Sequence, residues 1–144
     1  KQVTGSHGIT IEADTVAQNL DIQGLEAIVL PGGLPGTLNL EASQEVSAMV
    51  DHCARQGVLI AAICAAPSIL GHKGLLKGKE ATAAPSFQKE LEGAALSDDY
   101  VCLSGNILTG RGMGVATQFG LRLVELLVSR EKAQELENAI QWKK

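Results

Sequence analysis

The sequence predicts an α/β domain with a mostly parallel sheet covered by helices on both faces, and three observations carry this reading. Ala27-Ile-Val-Leu30 and Val58-Leu-Ile-Ala-Ala-Ile63 are continuous apolar runs of strand length, the pattern of strands buried on both faces of a parallel sheet. Between them lies a segment of helical period, with Val46, Met49, Val50 and Cys53 at i, i+3, i+4 and i+7. Further strand and helix signals alternate after the second run, and that order implies parallel pairing through helical crossovers.

In chain order, residues 3–14 alternate apolar and polar side chains around Ser6-His7-Gly8, as a short hairpin does. A parallel α/β fold normally opens with a buried apolar strand feeding a helix. No such strand precedes the hairpin, so residues 1–144 read as a single domain lacking an N-terminal strand-helix-strand portion. Ala27 to Leu30 reads as a central strand that stops at Pro31-Gly32-Gly33. A helix from about Ala42 to Gln56, closed by Gly57, puts Cys53 on its buried face. The strand 58–63 ends on Cys64, and Ala65 to Leu70 reads as the first turns of a helix. Pro67 fits there, because the first amides of a helix have no intrahelical acceptor to lose.

Residues 80–83, 100–103 and 107–109 read as shorter strands, the last after a Ser104-Gly105-Asn106 turn. Gly110-Arg-Gly-Met-Gly114 leads into an apolar helix to about Val128, and Ser129 can cap a last helix that reaches Trp142. In that segment, Arg130 to Lys144, Leu136 and Ile140 are expected to pack inward and the mixed charges to face water. There is no internal repeat, low-complexity tract or linker.

Composition narrows the function classes. With 144 residues, 45% of them hydrophobic, the chain can bury a sizeable core. Aromatics at 3% make a base-stacking surface improbable. A net charge of −4 with scattered Lys and Arg leaves no footprint for a phosphate backbone, so nucleic acid is not an expected partner. No run approaches the ~20 apolar residues of a membrane span and the start carries no apolar signal region, so no membrane partner is expected and a cytoplasmic location is. Cys53, Cys64 and Cys102 are too widely spaced for a disulfide framework or a zinc cluster.

Cys64 is the candidate nucleophile. A side chain placed where a buried strand turns into a helix is exposed at the carboxyl edge of the sheet, where open α/β folds bind ligands. The unpaired amides and positive dipole end of the helix favour a thiolate at that place. The Pro31-Gly32-Gly33 loop should end on the same edge, where glycine lets backbone amides approach a small group. The amides of Gly33 and Ala65 are then candidates for holding an oxyanion. Cys53 reads as a core residue and Cys102 as inert. Gly110 to Gly114 lacks the Gly-Lys-Ser/Thr ending of a P-loop and reads as a tight strand-to-helix turn, with Arg111 directed either to the site mouth or to solvent. His7, His52 and His72 share no helical face for a metal and read as surface or rim residues. Neither a metal nor a cofactor is expected.

Ala27-Ile-Val-Leu-Pro-Gly-Gly33, Ala61-Ala-Ile-Cys-Ala-Ala-Pro67 and Leu108-Thr-Gly-Arg-Gly-Met-Gly114 resemble the successive motifs of the ThiJ/PfpI superfamily. The nearest branch is that of the parkinsonism-associated protein deglycase and its bacterial relatives. The resemblance implies a flavodoxin-like three-layer sandwich of the class I glutamine amidotransferase type, usually a homodimer. It places Cys64 at the family's active-site cysteine and Gly33 and Ala65 at its backbone oxyanion donors. The activities implied are cofactor-free glyoxalase or deglycase chemistry on a small carbonyl substrate, oxidative-stress sensing, chaperone action and, in other branches, proteolysis.

Two departures limit the transfer. The family glutamate that hydrogen-bonds the cysteine sulfur belongs to a helix with no counterpart in residues 1–144, so a separate N-terminal fragment of the same protein is an expected partner. Where many relatives carry histidine before proline, this chain has Ala84-Pro85, which disfavours a cysteine–histidine dyad and a peptidase. The leading expectation is an enzyme whose Cys64 thiolate attacks a dicarbonyl or its adduct. The alternatives are a redox sensor or stress chaperone using an oxidisable Cys64, a cysteine peptidase-like member, and a binding module of the same fold.

Overall fold

The computed structural model describes residues 2–142; Lys1, Lys143 and Lys144, the last two belonging to the expected C-terminal helical segment, lie outside the described residues. The elements run β1 (Gln2–Thr4), β2 (Thr10–Glu12), β3 (Ala27–Leu30), α1 (Gly36–Ala42), α2 (Gln44–Gln56), β4 (Leu59–Ile63), α3 (Pro67–His72), β5 (Glu80–Ala81), β6 (Ala95–Leu96), β7 (Val101–Ser104), β8 (Ile107–Gly110), α4 (Ala116–Leu127) and α5 (Arg130–Ala139). β1 and β2 form the expected antiparallel hairpin. The main sheet has the order β3-β4-β8-β7, with β3, β4 and β8 parallel and β7 antiparallel beside β8.

Side chains alternate across a strand, so β4 feeds two cores at once. Ile60 and Ala62 pack with Val50 and Cys53 of α2 and with Ile69 and Leu70 of α3. Ala61 faces the other way, with Leu108 of β8 and Phe119 of α4, and Leu59, Ile63 and Leu123 join that side. Helix, sheet and helix thus form the three layers expected from the apolar runs. Among the described residues no helix is long and apolar enough to cross a membrane.

Several expectations need correction. β3 is not a central strand buried on both faces: among the described residues it is an edge strand, and Val29 is 47% exposed. Its inner face meets α2, whereas α4 packs on β8. The helix expected from Ala42 is two helices broken at Ser43, whose backbone is extended and whose Oγ accepts the Val46 amide at 3.3 Å. The strand expected at 80–83 stops at Ala81 and pairs with β6 instead of the main sheet. It stops because Thr82 and Ala84 are drawn aside, the Thr82 amide donating to Thr109 Oγ1 (3.0 Å) and the Ala84 amide to the Cys64 carbonyl (2.9 Å). Ser129 caps α5 as expected, accepting the Lys132 amide at 3.1 Å. The helix ends at Ala139, short of Trp142, and Gln141 then takes a left-handed backbone (φ 55°). Ile140 is consequently 55% exposed instead of packed inward, while Leu136 is half-buried. His52, expected near the surface, is buried beside Cys53 on the inner face of α2.

One imidazole ties three segments together. His72, the last residue of α3, sets Nδ1 2.5 Å from Glu41 Oε1 in α1 and Nε2 3.3 Å from Glu90 Oε2 in the turn Pro85–Glu90. With a carboxylate at each nitrogen, the doubly protonated ring is favoured. The hydrogen bond to Glu41 is the main reason its pKa lies above the ordinary histidine value; partial burial opposes the rise. A raised folded-state pKa adds stability that is fully present below the unfolded histidine pKa and is lost as pH rises through the raised value. The melting temperature of His72→Gln should therefore fall further below that of the unaltered chain at about pH 6 than at about pH 9. Thermal denaturation at both pH values checks this, and an equal difference at both would show that the ring is not charged.

Candidate active site

β4 delivers Cys64 to the carboxyl edge of the sheet in a backbone conformation that L-residues avoid, with φ at 66°. A left-handed non-glycine residue costs about 1–2 kcal/mol and persists only where its surroundings dictate it. Two hydrogen bonds do so. The Cys64 amide donates to the carbonyl of Gly110, the last residue of β8, at 2.8 Å, and the Cys64 carbonyl accepts the Ala84 amide at 2.9 Å. The chain then turns through Ala65 and Ala66, both buried, into α3, where Ser68 Oγ donates to the Ala65 carbonyl at 2.8 Å. α3 is a short helix that starts three residues beyond the thiol, so the expected helix N-terminus lies one turn further on.

The loop after β3 is pressed against this turn. A Cβ on Gly32 would lie 2.7 Å from Cys64 Cβ, 2.7 Å from the Ile63 carbonyl oxygen and 2.9 Å from the Ala65 amide nitrogen. Only a residue without a side chain lets the two segments approach so closely. Gly33, next along, has φ at 91°, and its carbonyl accepts both the amide (2.8 Å) and the hydroxyl (2.9 Å) of buried Thr37 in α1. The loop is thus anchored from α1 and held beside the Ala65 amide. The two stretches named from the sequence as backbone donors meet at Cys64.

Cys64, half-buried, opens into a pocket of about 330 Å³ whose walls come from Ala84 and Pro85, from Tyr100, and from 111–115. Arg111 belongs to this wall, which resolves the two directions open to it in the sequence. Its Nε donates to Thr82 Oγ1 (3.3 Å), its Nη2 to the Ser97 carbonyl (3.1 Å), and its guanidinium carbon lies 4.9 Å from the centroid of the Tyr100 ring. The sequence reading missed Tyr100, Pro85 and Met113 as pocket residues. They come from segments far apart along the chain, and the one local signal was the Ala84-Pro85 pair, noted only for its missing histidine.

The remaining candidates lie elsewhere. Cys53 and Cys102 are buried, and burial pushes both thiols up in pKa, away from the thiolate form. His7 contacts Ser6 in the hairpin, His52 is buried on α2 and His72 closes the clamp on α3; none lines the Cys64 pocket. A groove of about 250 Å³ between α4 and α5, lined by Arg122, Glu125, Arg130 and Trp142 among others, presents no nucleophile.

The model of the DJ-1/PfpI family matches residues 1–126. The chain is 39% identical over 141 residues to Protein DJ-1 homolog A of Arabidopsis thaliana, covering 96% of this chain and 36% of that one, so it spans about a third of that relative's length. It is 30% identical to a glutathione-independent glyoxalase of Caenorhabditis elegans, over 90% of this chain and 69% of the other. To a deglycase of Thermococcus kodakarensis it is 29% identical, over 88% and 76%. Among solved structures, oxidized Toxoplasma gondii DJ-1 superposes with a TM-score of 0.93 at 33% identity, over 99% of this chain and 78% of that one. Drosophila melanogaster DJ-1beta gives 0.92 at 33%, over 100% and 78%. The architecture is the flavodoxin-like α/β fold of these proteins, and the chain belongs to the DJ-1/PfpI family.

Proposed function

We propose that Cys64 is the nucleophile of a cofactor-independent glyoxalase- or deglycase-type reaction on small dicarbonyls or their adducts. The observation that carries this is the cysteine itself: the one reactive-type side chain of the pocket stands on a strained turn, beside a glycine loop that leaves room at the Ala65 amide. Glyoxalase and deglycase relatives at about 30% identity support the same chemistry.

In this reading the thiolate attacks the aldehyde carbon, a C–S bond forms, and the carbonyl oxygen becomes an alkoxide facing the amides of Gly33 and Ala65. The hydrogen on that carbon leaves as a proton and a proton returns at the neighbouring carbon, so the ketone is reduced to an alcohol as the aldehyde carbon is oxidised to a thioester. Water then splits the thioester, releasing a hydroxy acid and the thiol. No described residue lining the pocket carries a carboxylate, so among these residues the proton transfers are left to water and to the Tyr100 hydroxyl.

A second reading has Cys64 oxidised by a peroxide to a sulfinic acid. It is favoured by the half-exposed thiol and by a similar chain whose solved structure is of the oxidized protein. Dicarbonyl turnover separates the two readings.

Cys64→Ser should abolish methylglyoxal consumption, followed by loss of the substrate, and iodoacetamide should label one thiol per native chain, located at Cys64 by peptide mass. Full turnover by the serine variant would sink the enzymatic reading. Gly32→Ala should cost about 1–3 kcal/mol in a denaturant titration, because the new methyl meets backbone and Cβ atoms that cannot swing aside. It should also lower kcat by about tenfold or more as the loop leaves the Ala65 amide. Unchanged kcat in that variant would remove the oxyanion role of the loop.

A further inference from the structure

Arg111 carries a charge that its surroundings do not neutralise. Among the described residues lining the Cys64 pocket it is the one charged side chain, and it is half-buried. No carboxylate of the described residues lies within ion-pair distance of it; the ion pairs present join His72, Lys73, Lys89, Arg122 and Lys132 to their own acids. Its position is nevertheless set. Thr82 Oγ1 and the Ser97 carbonyl each accept a hydrogen bond from it, and the Tyr100 ring lies against its guanidinium carbon. These partners are neutral: they fix the plane of the guanidinium and leave its charge standing.

Moving a cation partly out of water is unfavourable unless an anion or a set of acceptors compensates. A planar guanidinium already oriented by neutral acceptors loses little further freedom when it takes up a carboxylate. The rest of the wall, with Ala84, Pro85, Met113 and Val115, contributes no negative charge to oppose such a group. A pocket of about 330 Å³ accommodates a small carbonyl compound with a carboxylate attached.

We propose that Arg111 is the specificity-determining residue of this pocket, and that the carbonyl compound attacked by Cys64 carries a carboxylate that Arg111 binds. The reacting carbonyl rests on the reading under Proposed function; the anion subsite rests on the Arg111 geometry alone.

Two alkylating reagents of nearly equal size test the subsite without any turnover. Iodoacetate and iodoacetamide react alike: the thiolate sulfur attacks the methylene carbon, a C–S bond forms, the C–I bond breaks and iodide leaves. They differ in carrying a carboxylate or a neutral amide. The ratio of their rates at Cys64, divided by the same ratio for glutathione, should be about tenfold above one, the scale of a hydrogen bond to a charged group. Arg111→Met should bring that quotient to about one and Arg111→Lys to an intermediate value. Should Arg111→Met fail to fold, the unaltered protein still decides: propionate should slow iodoacetamide labelling of Cys64 saturably and propionamide should not. A quotient of one in the unaltered protein, or equal effects of the acid and the amide, would overturn the proposal. A high quotient without dicarbonyl consumption refutes the glyoxalase reading and keeps the anion subsite, while methylglyoxal turnover with a quotient of one does the reverse.

Discussion

The site depends on one unfavourable backbone conformation held in place by two hydrogen bonds. Cys64 is left-handed because β8 ends with its Gly110 carbonyl aimed at the Cys64 amide, and because the chain after β5 returns with the Ala84 amide against the Cys64 carbonyl. Gly110 itself is hemmed in, since a Cβ there would come within 2.9 Å of Ile63 and of Phe119. Strand register, helix packing and the position of Cys64 are therefore one constraint. A slip of β4 against β8 would unpin the cysteine and turn its alternating apolar residues onto the wrong faces together.

The packing around this point relies on small residues. Ala61, Ala62, Ala65 and Ala66 are all buried along β4 and the turn that follows, so the helices of both layers can approach the sheet closely where the site is built. Behind the site, His72 joins the far ends of the segments that begin at Gly33, Cys64 and Ala84, and Lys73 joins α3 to α2 through Asp51 and Ser47, each at 2.8 Å. Three chain segments that supply the site at one end are thus held to one another at the other.

Much of this was legible in the sequence because it is local. The runs 27–30 and 58–63 became β3 and β4 almost residue for residue, Ser129 capped its helix, and Cys53 fell on the buried face, each being a matter of periodicity or of a nearby side chain. The turn at Cys64 was legible too, since an apolar run of strand length stops there and a helical segment follows. What was illegible is relational. Apolar content could not show that β3 is left at an edge among the described residues, because an edge strand packed on one face has the same composition as a central one. The division of α1 from α2 hid in a single serine. The pocket wall could not be assembled from spacing, since Ala84, Tyr100 and Arg111 converge only after β7 and β8 have paired. Even the left-handed cysteine is invisible locally, as no propensity favours it.

The loop and turn around Cys64 are contributed largely by main-chain atoms. Amides and carbonyls are the same in every sequence, so that part of the site constrains the path of the chain, through glycine at 32 and small residues at 65 and 66, far more than it constrains side-chain identity. The opposite wall, with Tyr100, Arg111 and Met113, is made of side chains. A scaffold divided in this way can vary the side chains that face a ligand without altering the main-chain turn, and relatives 30% and 29% identical to this chain carry names as different as glyoxalase and deglycase.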